Sequence, residues 1–357
     1  MFFFVTDGAA GITCIIFEII QNKMLYIVTL PNGFFGSAEE SWKSLSPEKI
    51  SFDLKDAGFA VKTVGIDSIL QQNLLHNDIV IYTSSEVEDV RNYIKDVMYM
   101  VAKRCHIVPS MDALMAHEDK GFQQLYRDYY KFGNVDGGYF YDFASLPCKY
   151  PYVYKTTVGA GSSGVTLIQG KKDQNKLKKR FRISLLRTLI KLVRKFQLTS
   201  KEYKIYSYRY QGTCSSVYQK FIHGLTGDYK ILVFGLKYYV LQRKVKKGGF
   251  KASGSGLFYF PEAGEVPDSV LNFAQSIYNF LDVPYASLDI AESSDECYLL
   301  EYQATNFGPY TLIKSKGYFV MNDTDWIYVQ EKSCLESNFS QALLYYITTI
   351  TSGHNKE

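Results

Sequence analysis

Between residues 25 and 109 the chain alternates short apolar runs with segments of helical spacing, and this alternation restricts its fold more than any other feature. Leu25 to Leu30 reads as a strand ending at the Pro31-Asn32-Gly33 turn, and Ala60 to Val64, Asp78 to Tyr82 and His106 to Pro109 read as three more. A helix opens at Ser46-Pro47-Glu48-Lys49, where serine can cap and proline suits the first turn, and Gly58 ends it. A second helix spans Val87 to Arg104, with Val90, Tyr93, Ile94, Val97 and Val101 at helical spacing. Strands separated by helices of this size pair in parallel, so the expected class is α/β with a small parallel sheet at the N-terminal side. Phe2 to Val5 and Ile12 to Gln21 add a short strand and a helix before it. At 357 residues the chain is too long for one simple core and suits two or three subdomains.

Beyond this sheet, Met111 to Phe132 has a helical pattern with Lys120 near its middle. Tyr150-Pro151-Tyr152-Val153-Tyr154-Lys155 then reads as a strand running into Gly159-Ala160-Gly161-Ser162-Ser163-Gly164. In an extended run Lys155 and Val153 share one face while Tyr152 and Tyr154 pack behind it. Glycines let backbone amides turn toward anionic oxygens, so lysine and loop together suit a phosphate. The loop matches neither the Walker pattern nor the dinucleotide fingerprint, and a plain hairpin turn is the other reading. Strands follow at Ser216 to Ile222, Tyr229 to Phe234 and Tyr238 to Gln242, and a helix runs from Val266 to Leu281. A hairpin of Tyr285 to Ala291 with Cys297 to Gln303 closes the series.

That hairpin carries two carboxylates. If it is symmetric about residue 295, Asp289 lies directly opposite Glu301, and Gln303 follows on the same face. Like charges in that position repel unless a cation is held between them, and Mg²⁺ takes one or two carboxylates together with substrate phosphates. A solvated hairpin face is the alternative.

Taken as a set, Lys120, Lys155 with its glycine loop, Gln219-Lys220-Phe221-Ile222, Asp228, Arg243, Lys251 and Asp289 with Glu301-x-Gln303 resemble an ATP-grasp carboxylate–amine ligase. The resemblance covers residues 105 to 310 and implies an ATP-grasp fold preceded by the parallel-sheet domain. It implies an N-terminal substrate-side domain at 1–110, a central subdomain at 111–218 and a C-terminal, metal-holding subdomain at 219–357. By the same resemblance, Lys120 and Lys155 contact the α- and β-phosphates of ATP. Gly159, Gly161, Ser162, Ser163 and Gly164 close over its β- and γ-phosphates, and Gln219, Lys220, Phe221 and Ile222 hold the adenine. Asp228 stands at the ribose, Arg243 and Lys251 stabilise the transferred phosphoryl group, and Asp289, Glu301 and Gln303 hold Mg²⁺. The implied reaction activates a carboxylate as an acyl phosphate and joins it to an amine, and needs no protein nucleophile. The Glu-x-Gln ending and the Ser253-Gly254-Ser255-Gly256 segment resemble ligases of surface-polysaccharide type, which points to a sugar-linked carboxylate. Two positions depart from the family pattern: Gln303 stands where asparagine is usual, and Lys251 where arginine is common. A non-catalytic nucleotide-binding protein with a regulatory or interaction role is therefore the competing class.

Charge is placed unevenly. Residues 171–195 hold eleven Lys or Arg against Asp173, about +10 in a chain whose net charge is +4. Leu177 to Phe196 fits a basic amphipathic helix, read either as a solvated cover of the nucleotide subdomain or as a contact with an anionic membrane surface. No nucleic-acid-binding motif accompanies the charge, so nucleic acid is not expected as a partner. The six cysteines form no CxxC pair and no histidine cluster, which argues against a zinc site or a disulfide framework. With no signal-peptide pattern and no apolar run of membrane length, the expected location is the cytoplasm, with peripheral contact at the inner membrane face. Nothing in the sequence fixes the oligomeric state.

Overall fold

The computed structural model describes residues 23–36, 45–142, 146–147, 149–159, 164–180, 185–208, 213–294 and 296–353. They gather into two compact units: the first takes in the chain up to 117 with 227–244 and the segment from 257 onward, the second 118–226 with 245–256.

The first unit opens with β1 (Met24–Thr29), α1 (Pro47–Asp56), β2 (Ala60–Gly65), β3 (Ile79–Tyr82), α2 (Glu88–Val101) and β4 (His106–Val108). The strands form a wholly parallel sheet in the order β2-β1-β3-β4, as the alternation predicts. Ser46 caps α1 by accepting from the Lys49 N–H at 3.3 Å, and Gly58 takes φ +92° just after its end. Both faces of the sheet are covered. Leu25, Ile27, Ile79 and Ile81 enter one core, while Tyr26, Val28, Val80 and Tyr82 enter another with Ile94, Val97 and Met98 of α2. Two buried faces explain why these strands read as continuous apolar runs. The strand and helix expected at 2–5 and 12–21 lie outside the described residues.

Residues 111–132 form two helices where the pattern predicts one: α3 (Met111–Ala116) and α4 (Lys120–Tyr130). Glu118 takes φ +52°, and Asp119 then caps α4 by accepting from the Phe122 N–H at 3.0 Å. Lys120 is consequently the first residue of a helix, not its middle.

In the second unit, α4 is followed by β5 (Gly137–Asp142), β6 (Tyr152–Thr156), β7 (Val165–Ile168), α5 (Lys171–Arg180), α6 (Leu185–Gln197), α7 (Ser200–Tyr208) and β8 (Thr213–Lys220). The antiparallel sheet runs β5-β8-β6-β7. Tyr152 and Tyr154 are buried with Leu146, Ile168 and Leu177, the packing that strand alternation predicts. The basic segment is divided between α5 and α6; residues 181–184 lie outside the described set.

The first unit resumes with β9 (Gly227–Phe234), β10 (Lys237–Lys244), β11 (Phe258–Tyr259), α8 (Asp268–Leu281), β12 (Tyr285–Ser293), β13 (Glu296–Gln303), α9 (Tyr310–Lys314), β14 (Tyr318–Asn322), β15 (Asp325–Val329) and α10 (Leu335–Gly353). Its antiparallel sheet runs β13-β12-β9-β10-β14-β15, with β11 paired to β10. Leu232, Phe234, Tyr239 and Tyr285 of this sheet share a core with Phe339, Leu343 and Ile347 of α10 and with the parallel sheet's Leu25 and Ile27.

Candidate functional site

In the second unit Lys120 reaches the start of the glycine loop, and Lys155 lies on the strand that leads into it. Lys155 is buried on β6, paired with Val217 of β8 and Val165 of β7. The Lys120 backbone N–H donates to the Thr157 carbonyl at 2.9 Å, and its Nζ donates to the Gly159 carbonyl at 2.6 Å. Capping by Asp119 thus fixes where the Lys120 ammonium goes, and it goes to the loop. Gly164, at φ +74°, closes the turn by accepting from the Thr156 N–H at 3.2 Å, and a Cβ there would collide with Thr156 Oγ1. Gly161, Ser162 and Ser163 lie outside the described residues.

Gln219 is buried on β8 and its Nε2 donates to Gln124 Oε1 at 3.4 Å. The Lys220 N–H donates to the Asp136 carbonyl at 2.8 Å, while Phe221 and Ile222 run on as half-buried, irregular chain. Lys251 donates through Nζ to the Val165 carbonyl of β7, and burial lowers its pKa. Five sets of expected residues, Lys120, Lys155, the loop, 219–222 and Lys251, therefore belong to one unit.

The first unit carries the acidic set on one face of its antiparallel sheet. Asp228 of β9 pairs in register with Arg243 of β10, and Lys230, two residues along β9, pairs with Asp289 of β12. Asp289 in turn faces Glu301 of β13, and Ser287 faces Gln303. The opposed carboxylates are as expected, although the hairpin is not symmetric. It turns between Ser293 and Glu296, and an irregularity between Asp289 and Ile290 shifts the register by one residue, which restores the Asp289–Glu301 pairing.

Arg243 is buried and held as a fork. Its Nε donates to Asp228 Oδ1 at 2.6 Å and its Nη2 to Asp228 Oδ2 at 2.9 Å, while Nη2 also lies 2.9 Å from Asp289 Oδ2. Lys230 Nζ is 3.4 Å from Asp289 Oδ1. Burial would raise the Asp289 pKa, but Arg243 and Lys230 together outweigh it and hold the carboxyl below the usual range. Asp228, more enclosed and near the Asp289 charge, is pushed up to about 6 by burial against the pull of Arg243. Burial likewise lowers the Arg243 pKa, yet the two carboxylates overcome it and raise the group above its ordinary value.

Behind Gln303 stands a residue the sequence did not mark. His117, buried just after α3, donates from Nδ1 to Gln303 Oε1 at 2.9 Å. Burial pulls its pKa down to about 4, with Arg91 and Lys95 contributing in the same direction. A histidine with a depressed folded pKa contributes stability that is present above its unfolded pKa and lost as pH falls toward the folded one. Urea unfolding at pH 7 and pH 4.5 should therefore differ by about 2 kcal/mol more in the parent chain than in His117→Asn.

Lys230 is the second missed residue, and for it a signal existed. The Gly235-Leu236 turn pairs Phe234 with Lys237, and counting back places Asp228 opposite Arg243 with Lys230 on the same face. His117 had no such signal.

The oxygen donors are of the kind a hard cation takes, although both Asp289 oxygens face Lys230 and Arg243 and the Gln303 oxygen accepts from His117. Asp289 and Glu301 supply carboxylates from adjacent strands and Gln303 an amide oxygen, a set suited to Mg²⁺ that also takes phosphate oxygens. Among the described residues no group of three or more His, Cys, Asp and Glu gathers to hold a metal by itself.

No protein-family model and no curated protein matches the sequence. Solved structures do resemble the fold. N5-carboxyaminoimidazole ribonucleotide synthetase from Thermotoga maritima aligns with 91% of this chain and 76% of its own at 14% identity, with a TM-score of 0.50. D-alanine–D-alanine ligase from Bacillus anthracis complexed with ATP aligns with 94% of this chain and 99% of its own at 11% identity and TM-score 0.48. A RimK domain ATP-grasp protein from Sphaerobacter thermophilus covers 80% of this chain and 92% of its own at 9% identity and TM-score 0.43.

Proposed function

We propose, from the premise that this chain has the ATP-grasp fold, that it is an ATP- and Mg²⁺-dependent ligase joining a carboxylate to an amine. The observation that carries the reading is the single sheet face on which Arg243, Lys230, Asp228, Asp289 and Glu301 are held in register. Such a face offers both cations for a phosphoryl group and oxygen donors for a metal.

In this reading Lys120, Lys155 and the loop from Gly159 to Gly164 neutralise and enclose the ATP phosphates, and residues 219–222 take the adenine. Asp289, Glu301 and Gln303 would hold Mg²⁺, which would offset the charge that develops on phosphoryl transfer. Asp228, placed at the ribose by resemblance, is here engaged with Arg243, and we assign it the role of fixing that guanidinium. Arg243 and Lys251 stabilise the phosphoryl group while a substrate carboxylate oxygen attacks the γ-phosphorus and ADP leaves. The amine nitrogen then attacks the acyl carbon, phosphate departs with the C–O electron pair, and the amine proton passes to solvent. Positioning and charge neutralisation supply the rate, so no protein side chain is covalently modified.

A second reading, a nucleotide-binding protein without turnover, is favoured by one detail: both oxygens of Asp289 already face protein cations. ADP release measured over a panel of carboxylates and amines separates the two. The panel includes uronic acids, the carboxylates suggested by the Glu-x-Gln and Ser-Gly-Ser-Gly segments. The ligase reading expects ADP release that requires both substrates and falls on the order of 10²-fold in Lys155→Ala. ATP binding with no substrate-stimulated release would sink it in favour of the second reading.

A further inference from the structure

The proposed reaction makes no use of α6. By the 3.6-residue turn, Leu189, Ile190, Leu192, Val193 and Phe196 fall in one arc of about 160°, with Arg194 and Lys195 outside it. In a globular protein that arc faces the core. Here it faces solvent: Phe196 is 88% exposed, Leu189 59%, Val193 55%, Leu192 50% and Ile190 44%. A contiguous apolar strip of this kind marks an interaction surface. Helix α6 does pack on α7, where the Arg194 guanidinium lies 6.0 Å from the Tyr206 ring centre, and the described residues leave the apolar arc uncovered.

Charge identifies the occupant. The segment 171–195 carries about +10, and Lys171, Lys172, Lys176 and Lys179 of the neighbouring α5 are exposed as well. A second copy of the chain would bring two such segments together against their mutual repulsion. Nucleic acid would engage the cations and leave the apolar arc in water. An anionic bilayer satisfies both halves, taking the apolar arc at the acyl boundary and the Lys and Arg side chains at the headgroups.

We propose that α6 docks this protein on the surface of an anionic lipid bilayer, lying in the interface without crossing it. Among the described residues no helix is long and apolar enough to span a membrane.

Sedimentation of the full chain with vesicles tests this directly. Binding is expected to vesicles of phosphatidylglycerol and phosphatidylcholine, to weaken with added salt, and to be absent with phosphatidylcholine alone. Arg194→Gln and Lys195→Gln should each weaken it roughly fivefold. The exposed pair Leu192→Asp and Phe196→Asp should abolish it while leaving circular dichroism and ATP-induced thermal shift as in the parent. Phe196→Trp should shift its emission to the blue on adding anionic vesicles. Absence of binding to anionic vesicles overturns the proposal, as does binding that survives the Leu192→Asp, Phe196→Asp pair. Self-association, or capture of a duplex oligonucleotide, without vesicle binding also overturns it. None of these outcomes depends on ligase activity, so the two readings stand or fall separately.

Discussion

Replacing Arg243 by alanine is expected to lower the unfolding free energy by about 3–5 kcal/mol, because it leaves the buried carboxylate of Asp228 and the partly buried one of Asp289 without their shared partner. The melting temperature should fall on the order of 10 °C. Hydrogen exchange should speed up first in strands β9, β10 and β12, whose side chains lose the fork. The pH dependence should also change. In the parent, Asp289 has a depressed pKa and contributes stability that is present above its unfolded pKa and lost only as pH falls through the folded value. In Arg243→Ala that depression is largely removed, so the variant should recover relative to the parent as pH falls below the carboxylate range. A second substitution, Asp228→Asn, should cost much less on the Arg243→Ala background than on the parent, because the two residues act as one unit. Additive losses would show that the fork does not hold in solution.

Glu301→Ala should behave in the opposite way. Glu301 pairs with Asp289 across the β12–β13 ladder and is not one of the carboxylates held by the Arg243 fork, so its removal should cost much less stability than Arg243→Ala. Under the proposed ligase reading turnover should, by contrast, fall on the order of 10²-fold or more, since Glu301 would supply an oxygen donor to the metal. Denaturant unfolding and ADP release on the same preparation give both numbers. Unaltered turnover in a folded Glu301→Ala chain would remove Glu301 from the metal set. Loss of stability equal to that of Arg243→Ala would instead make it a structural residue.

These residues also show where the sequence was informative. The apolar runs around Leu25, Val80 and Ile81, separated by helical segments, announced a parallel sheet, and burial on both of its faces is why they carry no polar alternation. Asp289 and Glu301 were legible as a pair because a hairpin turns sequence distance into register. Their pairing nevertheless depends on a one-residue shift that the sequence does not announce. Lys120 was misplaced within a single helix because apolar spacing carries on past residue 117, while the break depends on Glu118 taking φ +52°. The Arg243 fork was hidden for a different reason. A carboxylate suited to a ribose and one suited to a guanidinium look alike until the opposing strand is in place.

The core that joins Leu25 and Ile27 to Phe339, Leu343 and Ile347 draws on both ends of the described chain. On a ribosome, one face of the parallel sheet and α1, whose Ile50 and Leu54 pack on it, are therefore complete in sequence roughly 230 residues before α10, which closes the same core, emerges. At ordinary rates of synthesis the part of that core closed by α10 stays open for roughly 10–45 s. During that interval the nascent chain presents an apolar surface to whatever is nearby, and its yield in a cell should depend on chaperone capacity more than its finished fold would suggest.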